Sequence, residues 1–346
     1  MAACSGFARA DFSYTETTQI TGGSTLAMMK MAAAFSKAAK QAGDPTVSTV
    51  SVKGNRLMRS GKDTVEIIDL DAETITTIDM AKKQYTVLTF EQMKQRMHEA
   101  MEQAKAQQQK AGAQPASNPQ NQNVDVKFKV KVRNTGATKD VAGLGSTESI
   151  LNMTAEATDT STGQSGAMAI TNDMWMAPEI PGYGEVREFY KRFAEKMGPI
   201  FGEGGMSPSL LASQPAAATG MADMVKEMSK LKGVPVMQVM RMGMTTNGQP
   251  LPAASEAPLP PQPDGPAMPT AKGVASAALA SQLGGFGFGH KKKTEDAPPP
   301  ADPSAAPPPY SVLVESNTQI SSISTGSVDP AVFTVPAGFK QVQPKQ

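Results

Sequence analysis

The sequence predicts an α+β protein, with a curved, mainly antiparallel sheet (a half-barrel) and amphipathic helices on its concave face. Residues 123–134, NVDVKFKVKVRN, alternate apolar with polar or charged side chains, as a strand does when one face packs on a core and the other meets water. Similar runs recur along the chain, separated by turn residues such as SGKD at 60–63. Between them lie segments with apolar side chains at helical spacing.

Weaker versions of this alternation predict nine further strands. They cover Phe12–Thr21, Thr46–Met58, Thr64–Leu70, Thr74–Asp79, Gln84–Phe90, Thr147–Ala157, Ala167–Met176, Met237–Thr246 and Ser311–Ser324. Because most of the runs are short and turn residues separate several of them, consecutive strands are expected to pair as an antiparallel meander.

Four segments have the apolar periodicity of helices. They cover residues 25–41, 89–110, 183–198 and 220–233. The second begins with the capping-box pattern Thr89-x-x-Gln92, in which each residue satisfies a backbone N–H of the other. The third, YGEVREFYKRFAEKMG, is the most amphipathic of the four.

The final strands are expected to complete a domain that begins before a long insertion. Residues 250–309 hold 15 of the 27 prolines, a composition that prevents sheet formation and favours extended, flexible chain. The strand pattern then returns, and its strands need partners from the earlier part of the chain. One domain is therefore expected over residues 11–249 and 310–346.

The first ten residues are interpreted as the remnant of a signal peptide. Ala8-Arg9-Ala10 has the small-residue pattern of a signal-peptidase site and precedes a polar, strand-like segment. Alternatively, MAAC resembles the end of a lipobox, in which Cys4 would be lipidated; an ordinary cytoplasmic start with a free cysteine is the third interpretation. We expect a periplasmic or secreted protein, and the sequence contains no apolar run long enough for a transmembrane helix.

Composition and motifs argue against an enzyme. The net charge is +1, which disfavours nucleic acid as a partner, and one cysteine with two histidines leaves few ligands for a metal. The Gly-rich stretch 134–153 lacks the Lys-Ser/Thr that follows the second glycine of a phosphate loop. Its glycines are expected to serve a connection between two strands. No cofactor is expected.

An apolar ligand site is the one functional constellation that the sequence supports. Side chains of the third helix, together with aromatic residues of two strands, could enclose a pliable cavity between helix and sheet. The candidate residues are Trp175, Val186, Phe189, Tyr190, Phe193, Met197 and Phe128. The alternative is a solid core, with the helices packed directly on the sheet.

Four segments resemble an uncharacterised family of exported bacterial domains. They are Val52–Met93, Asn134–Leu144, Asp173–Arg192 and the tail VPAGFK, Val335–Lys340. That family is similar in fold to the LolA-like lipoprotein carriers, half-barrels that can hold acyl chains. The resemblance covers roughly residues 11–249 and 310–343, and it departs from the family at Leu144, where an aromatic residue is usual, and in the Pro-rich insertion.

The resemblance implies a fold and a compartment, and the family has no agreed activity. We expect a non-enzymatic, extracytoplasmic protein of the bacterial envelope, and the alternating sheet with Met/Phe-rich amphipathic helices suggests that it binds a lipid or a lipoprotein acyl chain. The other function left open is an interaction or scaffold protein that docks an envelope protein partner through its Pro-rich insertion.

Overall fold

A single sheet of 12 strands dominates the protein. The computed structural model describes residues 11–32, 43–112, 124–159, 165–197, 223–246, 248–259 and 309–343. The strand order is β12-β6-β5-β4-β3-β2-β1-β11-β10-β9-β8-β7, and the two end strands do not pair with each other. Neighbours are antiparallel except β12, which runs parallel to β6. The predicted α+β class with a mainly antiparallel sheet is confirmed.

The strands and helices follow one another as a meander with few interruptions. The strands are β1 (Phe12–Gly22), β2 (Thr46–Lys53), β3 (Arg56–Ser60), β4 (Thr64–Asp69), β5 (Thr74–Asp79), β6 (Gln84–Thr89), β7 (Val124–Val141), β8 (Leu144–Asp159), β9 (Ser165–Ala177), β10 (Val234–Thr245), β11 (Tyr310–Ser324) and β12 (Lys340–Gln341). The helices are α1 (Ser24–Ala32), α2 (Phe90–Gly112) and α3 (Tyr183–Met197), with a further helical segment at residues 223–228 and a 3-10 turn at Pro330–Phe333.

The run Thr46–Met58 is two strands, so its prediction as one was wrong. A tight turn separates β2 from β3, and Gly54 adopts a φ of 59° there. Val52 lies directly opposite Leu57, so the apolar side chains of this face change from even to odd positions across the turn. The Gly54-Asn55 pair between the two apolar runs is a hairpin signal that the prediction overlooked.

The Gly-rich stretch is a strand connection, as expected. β7 and β8 form a long hairpin closed by Ala142 and Gly143, whose φ angles of 53° and 81° suit a two-residue turn with the twist of the flanking strands. Gly136 lies within β7 where the pairing register shifts, between Asn134 and Thr138. The ladder hydrogen bonds on both sides leave this loop no phosphate-cradling geometry.

All four predicted helices occur within the described residues, but the helix predicted over 220–233 ends at residue 228. The capping box of α2 is formed, since the Thr89 amide donates to the Gln92 side chain at 3.0 Å and the Gln92 amide donates to the Thr89 hydroxyl at 3.1 Å. α3 covers the predicted span almost completely, whereas α1 is described only to Ala32. No described helix combines the length and hydropathy that crossing a bilayer requires.

Both faces of the β3–β5 part of the sheet are covered by apolar side chains. Leu57 and Ile68 join the main core cluster, which includes α3. Their chain neighbours Met58 and Ile67 point the other way and pack with Phe333 of the C-terminal segment. The chain after β11 therefore closes the face opposite α3.

The first residues of the Pro-rich stretch are packed on the sheet. Leu251 and Ala253 are fully buried, and Leu259 packs against a small cluster with Ala169 and Val312. Residues 248–259 are named the strap below. The rest of the expected insertion, 260–308, lies outside the described residues, as do the predicted signal remnant 1–10 and Cys4.

Candidate functional site

Three of the candidate ligand-binding side chains on α3 belong to the main core. Val186 is 2% exposed, and Phe189 and Met197 are fully buried. They pack with strand residues such as Phe12 and Val50 in one cluster. The helix thus lies directly on the sheet at these positions, which is the arrangement of the solid-core alternative.

The other candidates lie at the edge of that cluster or away from it. Phe193 is half-buried and meets Phe90 edge-on at a ring distance of 5.4 Å. Tyr190 is 40% exposed and hydrogen-bonds to Arg59. Trp175 packs against the cluster from β9, whereas Phe128 is half-buried on β7 opposite Ala155, outside the cluster.

A second concentration of functional groups lies beneath the strap, and sequence reasoning missed it. Arg241 of β10 is 3% exposed and donates from Nε to Glu315 of β11 at 2.7 Å. Its Nη1 lies within 3.1 Å of three strap carbonyl oxygens. Those carbonyls belong to Pro252, Ala253 and Ala257. One buried guanidinium therefore ties the strap to two neighbouring strands.

Two buried carboxyl groups lie beside this arginine. Glu148 of β8 is 4% exposed and Asp173 of β9 is 2% exposed. Asp173 accepts a hydrogen bond from the Ser255 amide of the strap at 3.0 Å, and Glu148 accepts one from the Thr135 hydroxyl. The Ser255 side chain hydrogen-bonds to both carboxyls. The strap thus contacts the pair directly.

The two carboxyls differ in their affinity for a proton. Burial raises the pKa of Asp173, and the nearby charge of Glu148 raises it further, against the hydrogen bonds from Ser255. Burial also acts to raise the pKa of Glu148, but hydrogen bonds from Ser255 and Thr135 outweigh it and hold that pKa below its usual range. Of the two carboxyls, Asp173 therefore has the higher affinity for a proton.

The geometry fits such a proton. The outer oxygens, Glu148 Oε1 and Asp173 Oδ1, are buried and receive no hydrogen bond from any other described group. Glu148 and Asp173 are diagonal neighbours on one face of the β8–β9 ladder, because Glu148 lies opposite Trp175 and Asp173 lies opposite Ile150. A proton held between the two carboxyls would satisfy one oxygen of each and leave a single negative charge.

An open groove of about 690 Å³ lies near the turn of the β7–β8 hairpin. Its walls include the side chains of Lys139, Met176 and Lys232. The Lys139 ammonium lies 5.2 Å above the Trp175 ring and 3.4 Å from the sulfur of Met237, which is a weak acceptor. The groove therefore combines apolar wall with positive charge.

Neither a family model nor a curated protein matches the chain.

The buried charged residues had a signal in the sequence. Arg241 is the one charged residue of β10, VPVMQVMRMGMT. In the same way, Asp173 is the one charged residue of β9 and Glu315 is the one charged residue of β11. A single charge in a strand of neutral residues indicates a partner on another strand, although it does not identify which. Within the described residues, no three His, Cys, Asp or Glu side chains are arranged to hold a metal ion.

Proposed function

We propose that this protein is a non-enzymatic, extracytoplasmic protein of the bacterial envelope that presents its Pro-rich segment, residues 260–308, to a protein partner. The supporting observation is that both ends of the segment are held at one place. Leu259 and Tyr310 pack against the same small cluster of Leu251, Ala169 and Val312. The carbonyl of Pro309 also accepts a hydrogen bond at 3.2 Å from the amide of Thr246, the residue that follows β10.

Anchored ends favour binding for an entropic reason. The cost of bringing the two ends of a long segment together is met when the domain folds, so a partner does not bear it. The sequence of the segment suits recognition in an extended form. PLPPQP at 258–263 contains two overlapping P-x-x-P patterns, which dock as polyproline helices in aromatic-lined grooves.

Replacement of residues 261–307 by a Gly/Ser linker tests this function. The strap and β11 remain intact, so the domain is expected to keep its thermal stability. A partner identified by cross-linking in the envelope should then lose binding to the purified variant. The same partner should bind a synthetic peptide of residues 256–271 and should not bind that peptide with alanine at its prolines. Equal binding to the full chain and to the linker variant would refute the proposal.

The extracytoplasmic location has its own test. N-terminal sequencing of protein from an envelope fraction is expected to start at Asp11, or to reveal a lipid on Cys4 if the lipobox interpretation holds. A cytosolic protein that retains Met1 would contradict it. Turnover of generic ester or peptide substrates would contradict the non-enzymatic part of the proposal.

Binding of an acyl chain is the second candidate function, with the sheet curved as in the LolA-like half-barrels. The groove beside the β7–β8 hairpin favours it, because its volume lies in the range of small-ligand sites. Met176 in its wall also belongs to a Met-rich cluster with Met174 and Leu151. Thioether side chains adapt to irregular ligands, and Lys139 and Lys232 would face an anionic head group.

A fluorescent fatty acid is the probe for this candidate. Binding should weaken when both Lys139 and Lys232 are replaced by alanine, and it should be unaffected by alanine at the exposed Lys191 of α3. Native mass spectrometry should detect a lipid on protein from its own envelope. Absence of both signals would exclude the acyl-chain function.

A further inference from the structure

The strap is held over the sheet by polar contacts with Arg241 and with the Glu148–Asp173 pair. Arg241 and the Ser255 amide fix its backbone, and Ser255 touches both carboxyls of the Glu148–Asp173 pair. Leu251 and Ala253 add apolar burial. Because the pKa of Asp173 is raised by burial and by the charge of Glu148, the carboxyl pair is the part of this contact that loses a proton above the usual range of an aspartate.

We propose that the Glu148–Asp173 pair is a proton-operated latch on the strap. The strap is held while the pair shares one proton, and it is released when both carboxyls are ionised. Two adjacent buried charges of the same sign then repel each other, and exposure to water on release of the strap relieves that repulsion.

The other charged groups around the pair occur as opposite-charge partners. Arg133 of β7 pairs with Glu256 of the strap, and Arg241 of β10 pairs with Glu315 of β11. Each of these pairs contributes no net charge. The charge of Arg133 also favours the ionised form of Glu148, and the second ionisation, on Asp173, then adds a further negative charge beneath the strap.

The direction of the pH effect follows from linkage. The pKa of Asp173 is higher in the closed state than in the open one, so its contribution to closure is complete below its usual pKa near 3.8. That contribution is lost as the pH rises through the raised value. The contribution of Glu148 to closure depends on pH in the opposite direction. It is complete above pH 4.5, the usual pKa of a glutamate, and it is lost as the pH falls through the lowered pKa of Glu148. Closure is therefore strongest near pH 4 and weakens with rising pH.

Hydrogen exchange of the strap amides measures the latch. The amides of Ser255, Glu256 and Ala257 are hydrogen-bonded in the closed state. Their protection factors, corrected for intrinsic exchange between pH 4 and pH 8, should fall in the wild-type protein. The expected fall is about tenfold for each unit by which the pKa of Asp173 in the closed state exceeds that in the open state. Protection of the β2–β3 hairpin should not change.

Asp173→Asn is the decisive variant. Its amide donates to Glu148 while its oxygen still accepts from Ser255, so it mimics the protonated aspartic acid without titrating. Strap protection should become independent of pH and should exceed that of the wild type at pH 8. Glu148→Gln should also flatten the profile, since the glutamine amide can donate to an ionised Asp173. Glu195→Gln, at an exposed position of α3, should leave the wild-type profile unchanged.

A flat wild-type profile overturns the latch. So does a wild-type profile that both carboxyl variants reproduce, because the titrating group would then lie elsewhere. If either variant loses protection in the β2–β3 hairpin, the fold has been damaged, and the wild-type profile and the other variant decide the outcome.

A consequence for partner binding rests on the proposed function, because the strap leads directly into the Pro-rich segment. Release at high pH would free residues 248–259 and lengthen the presented chain. Partner affinity should then change with pH in the wild type and not in Asp173→Asn. A pH-dependent strap without any partner would refute the proposed function and leave the latch standing.

Discussion

The two halves of the sheet bury different kinds of side chain. In β1–β6 the buried positions are almost entirely apolar, and both faces of β3 and β4 are covered, by α3 on one side and the C-terminal segment on the other. In β8–β11 the sheet also buries Glu148, Asp173, Arg241 and Glu315, which are all of the buried charged residues in the described part of the chain. Non-directional apolar packing stabilises β1–β6. Paired charged side chains also stabilise β8–β11, where loss of one member leaves the other buried without its partner.

The first test of this comparison removes the largest apolar contact. Phe189→Ala leaves a cavity between α3 and the sheet and should lower the free energy of unfolding by about 4 kcal/mol. Urea denaturation followed by circular dichroism measures it. Lys191→Ala, on the exposed side of the same helix, should change stability by less than about 0.5 kcal/mol. Tolerance of Phe189→Ala would mean that α3 is not part of the core and would reopen the apolar ligand site there.

The second test removes one partner of the buried ion pair. Arg241→Met should cost about 3 kcal/mol, because Glu315 is then left charged, buried and without its guanidinium. Part of the loss should be recovered in the double variant Arg241→Met/Glu315→Leu, since no unpaired charge remains. Additive effects of the two substitutions in a double-mutant cycle would contradict a coupled pair.

A third test compares two glycines with similar backbone angles. Gly233 has a φ of 97° and Gly143 a φ of 81°. A Cβ at Gly233 would lie 2.1 Å from the carbonyl oxygen of Ala177, whereas at Gly143 it would meet open space. Gly233→Ala should therefore cost about 3 kcal/mol and Gly143→Ala only about 1 kcal/mol, measured as shifts in the urea midpoint. Equal losses of stability in the two variants would mean that the positive φ angle causes the whole effect and that the contact with Ala177 contributes nothing.

The smallest expected effect is local to α2. Thr89→Ala removes the hydroxyl that caps the helix and should cost about 1 kcal/mol, whereas Thr89→Ser should restore most of it. Thermal melting of the two variants provides the measurement. Since the cap lies in the apolar half, the pH profile of strap protection should not respond to either change.

The difference between the halves also explains which predictions succeeded. The alternating run at 123–134, the capping box at Thr89 and the apolar face of α3 are local patterns, and each one is formed in the structure. The division of Thr46–Met58 was missed because the Gly54-Asn55 turn between its two apolar runs was not recognised. Of the candidate ligand residues, the pattern identified the buried face of α3 correctly, but it could not distinguish a filled core from a cavity.

The polar half required the tertiary structure. Glu148, Asp173, Arg241 and Glu315 lie on four different strands, and the strap that covers them follows in sequence the strand it helps to fix. The local sequence of one strand does not indicate which charged side chains on other strands will pair with its own. The register of the strands across the sheet determines that pairing, because a shift of one residue turns every side chain to the opposite face.

By itself, the sequence determined the class of the fold, most of the strands and the amphipathic helices, since these depend on short-range periodicity and turn chemistry. The tertiary structure decided the order of the 12 strands, the packing of α3 against the sheet and the burial of one carboxyl beside another. The physical reason is range: backbone preference and amphipathicity act between neighbours in sequence, whereas burial, charge pairing and the perturbation of one carboxyl by another depend on groups that only folding brings together.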